Sequence, residues 1–182
     1  MPAGAATQPS RPTITPRSPR CAAPLRRTAQ RALGLAAEAD DLHAELDTLV
    51  RRRAPWLLAE PGIGVICAAQ LLNAWSHAGR LRSEAAFAML GGAAPIEASS
   101  GKVTRHRLNR SGDRQLNRVL HTVVVSRMVH HAETRAYVAR RIAEAKSPRE
   151  IRRCLKRYLA RRLFKLLEAS PAHAPKEKIA TT

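Results

Sequence analysis

Ser99-Ser100-Gly101-Lys102 sets two hydroxyls at the head of a basic run that continues through Arg105, Arg107 and Arg110. A serine hydroxyl is a weak nucleophile until a base or a strongly electrophilic centre assists it. Guanidinium groups present forked donors that match phosphate oxygens. Together these residue types could carry out phosphoryl transfer, a hydroxyl attacking a phosphodiester whose developing charge is met by fixed cations. On spacing alone, a Ser-Ser-Gly segment reads as an ordinary turn.

The surrounding charge points the same way. The 182 residues hold 32 Lys+Arg against 14 Asp+Glu, a formal charge of +18. Most of it is regional: residues 99–165 contain nineteen Lys and Arg and four acids, a surplus of +15. A basic concentration of this kind is the footprint of nucleic-acid binding, against the plainer reading of a solvated arginine-rich face. Aromatics are 3% of the chain, too few for base-by-base stacking along a single strand. A second candidate contact is Pro61-Gly62-Ile63-Gly64, a tight turn ahead of an apolar helix. It is similar to the turn of a helix-hairpin-helix element, whose helix N-terminal amides can hold a phosphate. On spacing alone it too reads as a plain turn. The candidate nucleic-acid contacts are therefore Gly62, Ile63, Gly64, Lys102, Arg105, Arg107, Arg110 and Arg114.

Other chemistries find little support. The seven histidines show no metal-ligand spacing with Cys or acids, and no metal residue is assigned. Two-metal nucleases gather carboxylates in their cores, whereas five of the acids here (Glu38, Asp40, Asp41, Glu45, Asp47) flank one helix. Cys21, Cys67 and Cys154 form no disulfide framework, and no Cys-x-x-Cys pair is present. The apolar stretch Val65–Trp75, broken by Gln70 and Asn73, falls short of the roughly 20 residues of a membrane span. The N-terminus lacks an apolar signal region, so secretion is not expected.

The elements that must position these residues are mainly helices, as a composition led by Ala, Leu and Arg predicts. Residues 1–27 are proline-rich at their start and lack an apolar period, which predicts a disordered basic leader. From about Thr28, Leu35, Ala39, Leu42, Leu46 and Leu49 recur at helical spacing, predicting a linker or coiled-coil-like helix over 28–57, closed by Pro55. A compact helical domain over 58–170 follows, with a helix through Leu71-Leu72 and a short one from Ser83 ended by Gly91-Gly92. Residues 93–112 read as a loop. A helix carrying Leu116, Val119, Leu120 and Val123 comes next, with a short strand at Val123–Val125 as the rival, then a helix over 134–146. Ser147-Pro148-Arg149-Glu150 is a capping box that opens the last helix. A flexible tail is expected over 171–182.

Ordered strings along this frame resemble one family. They are Leu58-Ala59-Glu60-Pro61-Gly62-Ile63-Gly64, Arg82-Ser83-Glu84-Ala85-Ala86-Phe87, Ala94-Pro95 with Ala98-Ser99-Ser100-Gly101, Arg105-His106-Arg107-Leu108-Asn109-Arg110, Gly112-Asp113-Arg114, and Arg152-Arg153-Cys154-Leu155-Lys156-Arg157-Tyr158. Over 28–168 the chain resembles the C-terminal part of the insertion sequence 110/116/902 transposases. The resemblance implies a bacterial cytoplasmic, nucleoid-associated protein acting on DNA in transposition and recombination, with an element-encoded guide RNA and self-association through 28–57 as further partners. It implies that Ser100 is the nucleophile forming a covalent phosphoserine link to DNA, with Ser99 the second candidate. Glu97 stands where the family usually has proline, and Ser111 where it has glycine. The family's RuvC-like domain with its four metal-binding carboxylates has no counterpart in these residues. Mg²⁺ is thus implied for the complete enzyme, with no cofactor bound by this chain, and the isolated chain is expected to be inactive. The alternative is a non-enzymatic basic nucleic-acid-binding protein or a decayed transposon remnant.

Overall fold

In the computed structural model the described residues are 19–99, 103, 106–107, 109 and 111–169. They form α1 (Pro19–Arg53), α2 (Pro55–Leu58), α3 (Val65–Trp75), α4 (Glu84–Leu90), β1 (Ile96–Glu97), β2 (His106–Arg107), α5 (Arg114–His130), α6 (Ala132–Ala143) and α7 (Pro148–Glu168). The mainly helical class read from composition is the class observed. The chain divides into two compact units, residues 1–42 and 43–182.

The first unit contributes the N-terminal part of α1, which begins at Pro19 rather than near Thr28. The leader expected over 1–27 is thereby shortened, since 19–27 are helical. Proline suits the first helical position because its missing N–H is unpaired there anyway. Pro24 lies inside the helix, where it forfeits one backbone bond and crowds the carbonyl four residues back, a cost of about 3 kcal/mol set against a run rich in the strong helix formers Ala, Leu, Gln and Arg. Leu25, Leu33, Leu35 and Leu42 are exposed. Residues 1–18 and the tail 171–182 lie outside the described residues.

The second unit begins within α1, at His43, so the expected boundary between 57 and 58 falls inside it. Val50, Ala54 and Leu57 are buried in the same core as Leu71, Phe87, Leu116, Leu120, Leu163 and Leu167. The centre of that core is α5. Leu116, Val119, Leu120, Val123 and Val124 are all buried, at the 3- and 4-residue steps that hold one helical face inward. The valines at 123 and 124 are helical, not a strand. Their intrinsic preference amounts to a few tenths of a kcal/mol each and is outweighed by burial of the face they share with the leucines. Helix α7 packs on both α4 and α5, burying Ile151, Leu159, Ala160, Leu163 and Leu167. Its start is the capping box expected from Ser147 and Glu150. Phe164 meets the fully buried Phe87 ring at 6.0 Å, tying α7 to α4. Tyr158 is exposed and meets Tyr137 of α6 edge-on at 6.1 Å.

One carboxylate joins three elements. Glu60, in the turn between α2 and α3, takes Arg127 Nη2 at 2.9 Å from α5 and Arg162 Nη2 at 2.9 Å from α7. Arg127 also donates Nε to the Pro61 carbonyl at 2.7 Å. Burial pushes the Glu60 carboxyl upward, but hydrogen bonds and charge from Arg162 and Arg127 outweigh it and leave the carboxyl below its ordinary value. A depressed native value means that the unfolded chain binds the extra proton first. The stability from this group is therefore present above about pH 4.5 and is lost as pH falls through the lower native value. Glu60→Gln should destabilise the unit by the lower part of about 3–5 kcal/mol, because it strands a nearly buried Arg127 while Arg162 can turn to solvent. Urea midpoints measured from pH 7 to pH 3 check this: the substitution should flatten the acid limb, and an unchanged limb would contradict the assignment.

Candidate nucleic-acid interface

The loop expected over 93–112 contains a short antiparallel ladder, Ile96 opposite Arg107 and Glu97 opposite His106. Two-residue strands carry no alternation for a sequence pattern to reveal. Both ends of the segment are fixed to the helical core. Ala93 and Ala94 donate their N–H groups to the Ala88 carbonyl, at 2.8 and 3.2 Å, where α4 ends. At the other end Asn109, 5% exposed, donates Nδ2 to the Met89 carbonyl at 3.0 Å. Its Oδ1 accepts from Ser111 N at 3.0 Å and Ser111 Oγ at 2.8 Å. Gly112 follows at φ +117°, and a Cβ there would stand 2.4 Å from the Leu90 carbonyl oxygen, so only glycine permits this approach. Asp113 then caps α5, accepting from Gln115 N and Leu116 N.

Beside the hairpin stem lies a groove of about 500 Å³. Ala93, Ala94, Pro95, His106 and Arg107 form the hairpin side, and Arg153, Cys154, Lys156 and Arg157 of α7 form the other. Asn117 of α5 links the two, donating Nδ2 to the Gly91 carbonyl at 2.7 Å and accepting from Lys156 Nζ at 2.8 Å. Burial pushes the Lys156 ammonium below its ordinary value, and no carboxylate raises it again.

Of the candidate contacts, Arg107 lies exposed on β2 and lines the groove, and Arg114 is the exposed first residue of α5. Ser100, Lys102, Arg105 and Arg110 lie outside the described residues. Ser99 is exposed and donates Oγ to Glu97 Oε1 at 3.0 Å. The Gly62–Gly64 turn is placed elsewhere. Gly62, at φ +78°, sits against Val123, Ser126 and Arg127 of α5, six to ten residues along that helix from Asn117, or roughly 9–15 Å. The Ile63 side chain is 6% exposed and belongs to the core. It has little surface for a ligand, while Gly62 and Gly64 are exposed. Sequence reasoning missed Asn109, Asn117, Lys156, Arg153 and Arg157 as a set. Arg153, Lys156 and Arg157 stand at i, i+3 and i+4 of one helix, a visible signal of a shared face, but nothing in the sequence says that the face meets residues 93–107.

Carboxylates are consumed by the scaffold. Beyond Glu60, Glu84 pairs with Arg161 and Lys165, and Glu144 with Arg140 and Arg141. Glu150 closes the capping box, and Glu168 accepts from Trp75 Nε1 at 2.7 Å. Among the described residues no group of three or more His, Cys, Asp or Glu comes together to hold a metal ion. The residues present do not fit a Mg²⁺ site, and no step is derived through one. No helix of the described residues is long and apolar enough to cross a membrane.

Fold and groove thus define a mainly helical domain with a basic, hairpin-flanked cleft. Residues 54–139 match the model of the Transposase IS116/IS110/IS902 family, a match that supports reading them as the C-terminal domain of such a transposase. The match runs from the residue before α2 into α6 and leaves the α7 wall of the groove outside it. No curated protein matches the chain.

Asn109→Ala should remove one of the two donors to the Met89 carbonyl, which keeps Gly92 N–H, and the acceptor of the exposed Ser111 groups, costing about 0.5–1.5 kcal/mol. The expected result is a lowered urea midpoint with faster protease cleavage between 98 and 110 than within α5. Equal cleavage rates in the variant and the parent would show that Asn109 does not anchor the segment.

Proposed function

We propose that this chain is the DNA-binding, serine-bearing part of a transposase, carrying out strand exchange with Ser100 as nucleophile. The observation that carries the reading is the division of charge on the second unit. Glu60, Glu84, Glu144, Glu150 and Glu168 are spent within the scaffold, whereas Arg107, Arg114, Arg153 and Arg157 are exposed and form no ion pair among the described residues. Arg107 belongs to the hairpin whose intervening residues, 98–105, include the Ser-Gly pair. In the proposed step the Ser100 Oγ–phosphorus bond forms as the bond from phosphorus to a deoxyribose oxygen breaks. The serine proton leaves to a base, and the departing oxygen takes up a proton. Lys102, Arg105, Arg107 and Arg110 neutralise the phosphate, and Arg114 with the Gly62 and Gly64 amides extends the contact along the backbone. Transition-state charge of this kind is met mainly by positioned cations. The reaction needs the family's carboxylate domain, Mg²⁺ and a guide RNA besides these residues, and the exposed leucines of α1 support self-association through 28–57. The site of action is the bacterial nucleoid.

If six to ten phosphates are neutralised, duplex affinity should fall by roughly 10³–10⁵ between 50 and 200 mM salt. Fluorescence anisotropy measures this, and an affinity that barely moves would remove the phosphate-contact reading. The isolated chain should bind DNA without cutting it. With the carboxylate domain, guide RNA and Mg²⁺ added, a covalent DNA adduct should appear on denaturing gels and vanish in Ser100→Ala, while salt-sensitive binding persists. An adduct retained in Ser100→Ala would move the nucleophile to another residue.

A further inference from the structure

We propose that the groove between the hairpin stem and α7 receives one unpaired nucleotide of a nucleic-acid strand, its phosphate on Lys156 and its base along the Ala93–Pro95 wall. The inference rests on the nucleic-acid reading above and assigns a ligand class to a cavity which that reading leaves unassigned. Size is the first argument. A cleft of about 500 Å³ lies within the range of small-ligand sites. It is far too small for a duplex, whose major groove alone is ~12 Å wide, and it suits a single nucleotide.

Lining is the second argument. Ala93, Ala94 and Pro95 offer a flat apolar strip with no side chain longer than a proline ring, a surface against which a base can lie without losing a hydrogen bond. Facing it, Lys156 is half-buried and spends one donor on the neutral Asn117, leaving two of its three N–H groups for a ligand. Arg153 and Arg157 flank it on the same helix. A buried cation is expensive unless an opposite charge joins it, and none of the protein's own does so. Glu150, the one acid at the groove, is directed to Ser147 N and Oγ, both at 2.8 Å. A half-buried ammonium with two free donors, flanked by Arg153 and Arg157, asks for an anion with several acceptor oxygens, and a phosphodiester supplies them.

The test compares three labelled probes on the full chain by anisotropy: a 12-nucleotide oligo-dT, a 12-nucleotide oligo-rU and a 20-base-pair duplex. Lys156→Met removes the charge at nearly constant shape, and Ala94→Phe fills the strip without touching charge; melting curves establish that both fold. Each variant should weaken the single-stranded probes about tenfold or more and change duplex binding by less than about threefold. Loss confined to oligo-dT assigns the site to a DNA strand, and loss confined to oligo-rU to an RNA strand. Parallel losses on duplex and single strands, or no loss on either single strand, overturn the inference while leaving duplex binding as proposed. If the parent chain binds none of the three probes, the nucleic-acid reading falls together with it. Should Lys156→Met fail to fold, Ala94→Phe decides alone.

Discussion

Glu60 sits in a six-residue turn between two helices and is closed between arginines of two others, Arg127 of α5 and Arg162 of α7. The turn, the central helix and the last helix are thereby held to one another by charge at a place where each would otherwise meet mainly through apolar contact. The same arginine-to-carboxylate logic recurs at Glu84, which binds Arg161 and Lys165 one face further along α7. A strongly cationic chain repels itself, and these few acids offset that repulsion where helices must touch. Each acid used in this way is removed from the surface and from any metal site.

That allocation of acids has a functional consequence. On α7, the residues toward its C-terminal end, Arg161, Arg162 and Lys165, face carboxylates and serve packing. Those nearer its N-terminal end, Arg153, Lys156 and Arg157, line the groove opposite the hairpin stem and form no ion pair among the described residues. One helix therefore acts as scaffold at one end and as cation array at the other. The hairpin is held at its base by Asn109 and by the Ala88 carbonyl rather than by its own two-residue ladder. An element this short could not persist alone. The position of its stem is set by the C-terminal end of α4.

Much of this was legible in the residues. The Ser147 capping box, the Ser83 cap, the Gly91-Gly92 stop and the closure of α1 before Pro55 are local chemistry, decided within four residues, and each stands where the pattern puts it. The apolar face of α5 follows from its own spacing. The family resemblance over 28–168 has its counterpart in the match over 54–139. The start of α1 was misplaced because proline counts against a helix on average yet is harmless at the first turn, a distinction of position rather than composition.

Tertiary structure decided the rest. Ile63 belongs to the core and not to a ligand surface because the turn that carries it is drawn onto α5 by Glu60 and Arg127; no local signal records an ion pair spanning 67 residues. The hairpin stem, Asn117 and Lys156 share a groove only because α4, α5 and α7 pack together. Sequence by itself determined helix type, most helix ends, and the sign and location of the charge, since these depend on near neighbours and on sums. Which cations stay unpaired, and which of them share one cavity, depends on contacts between residues far apart in the chain, and those exist only once the core has closed.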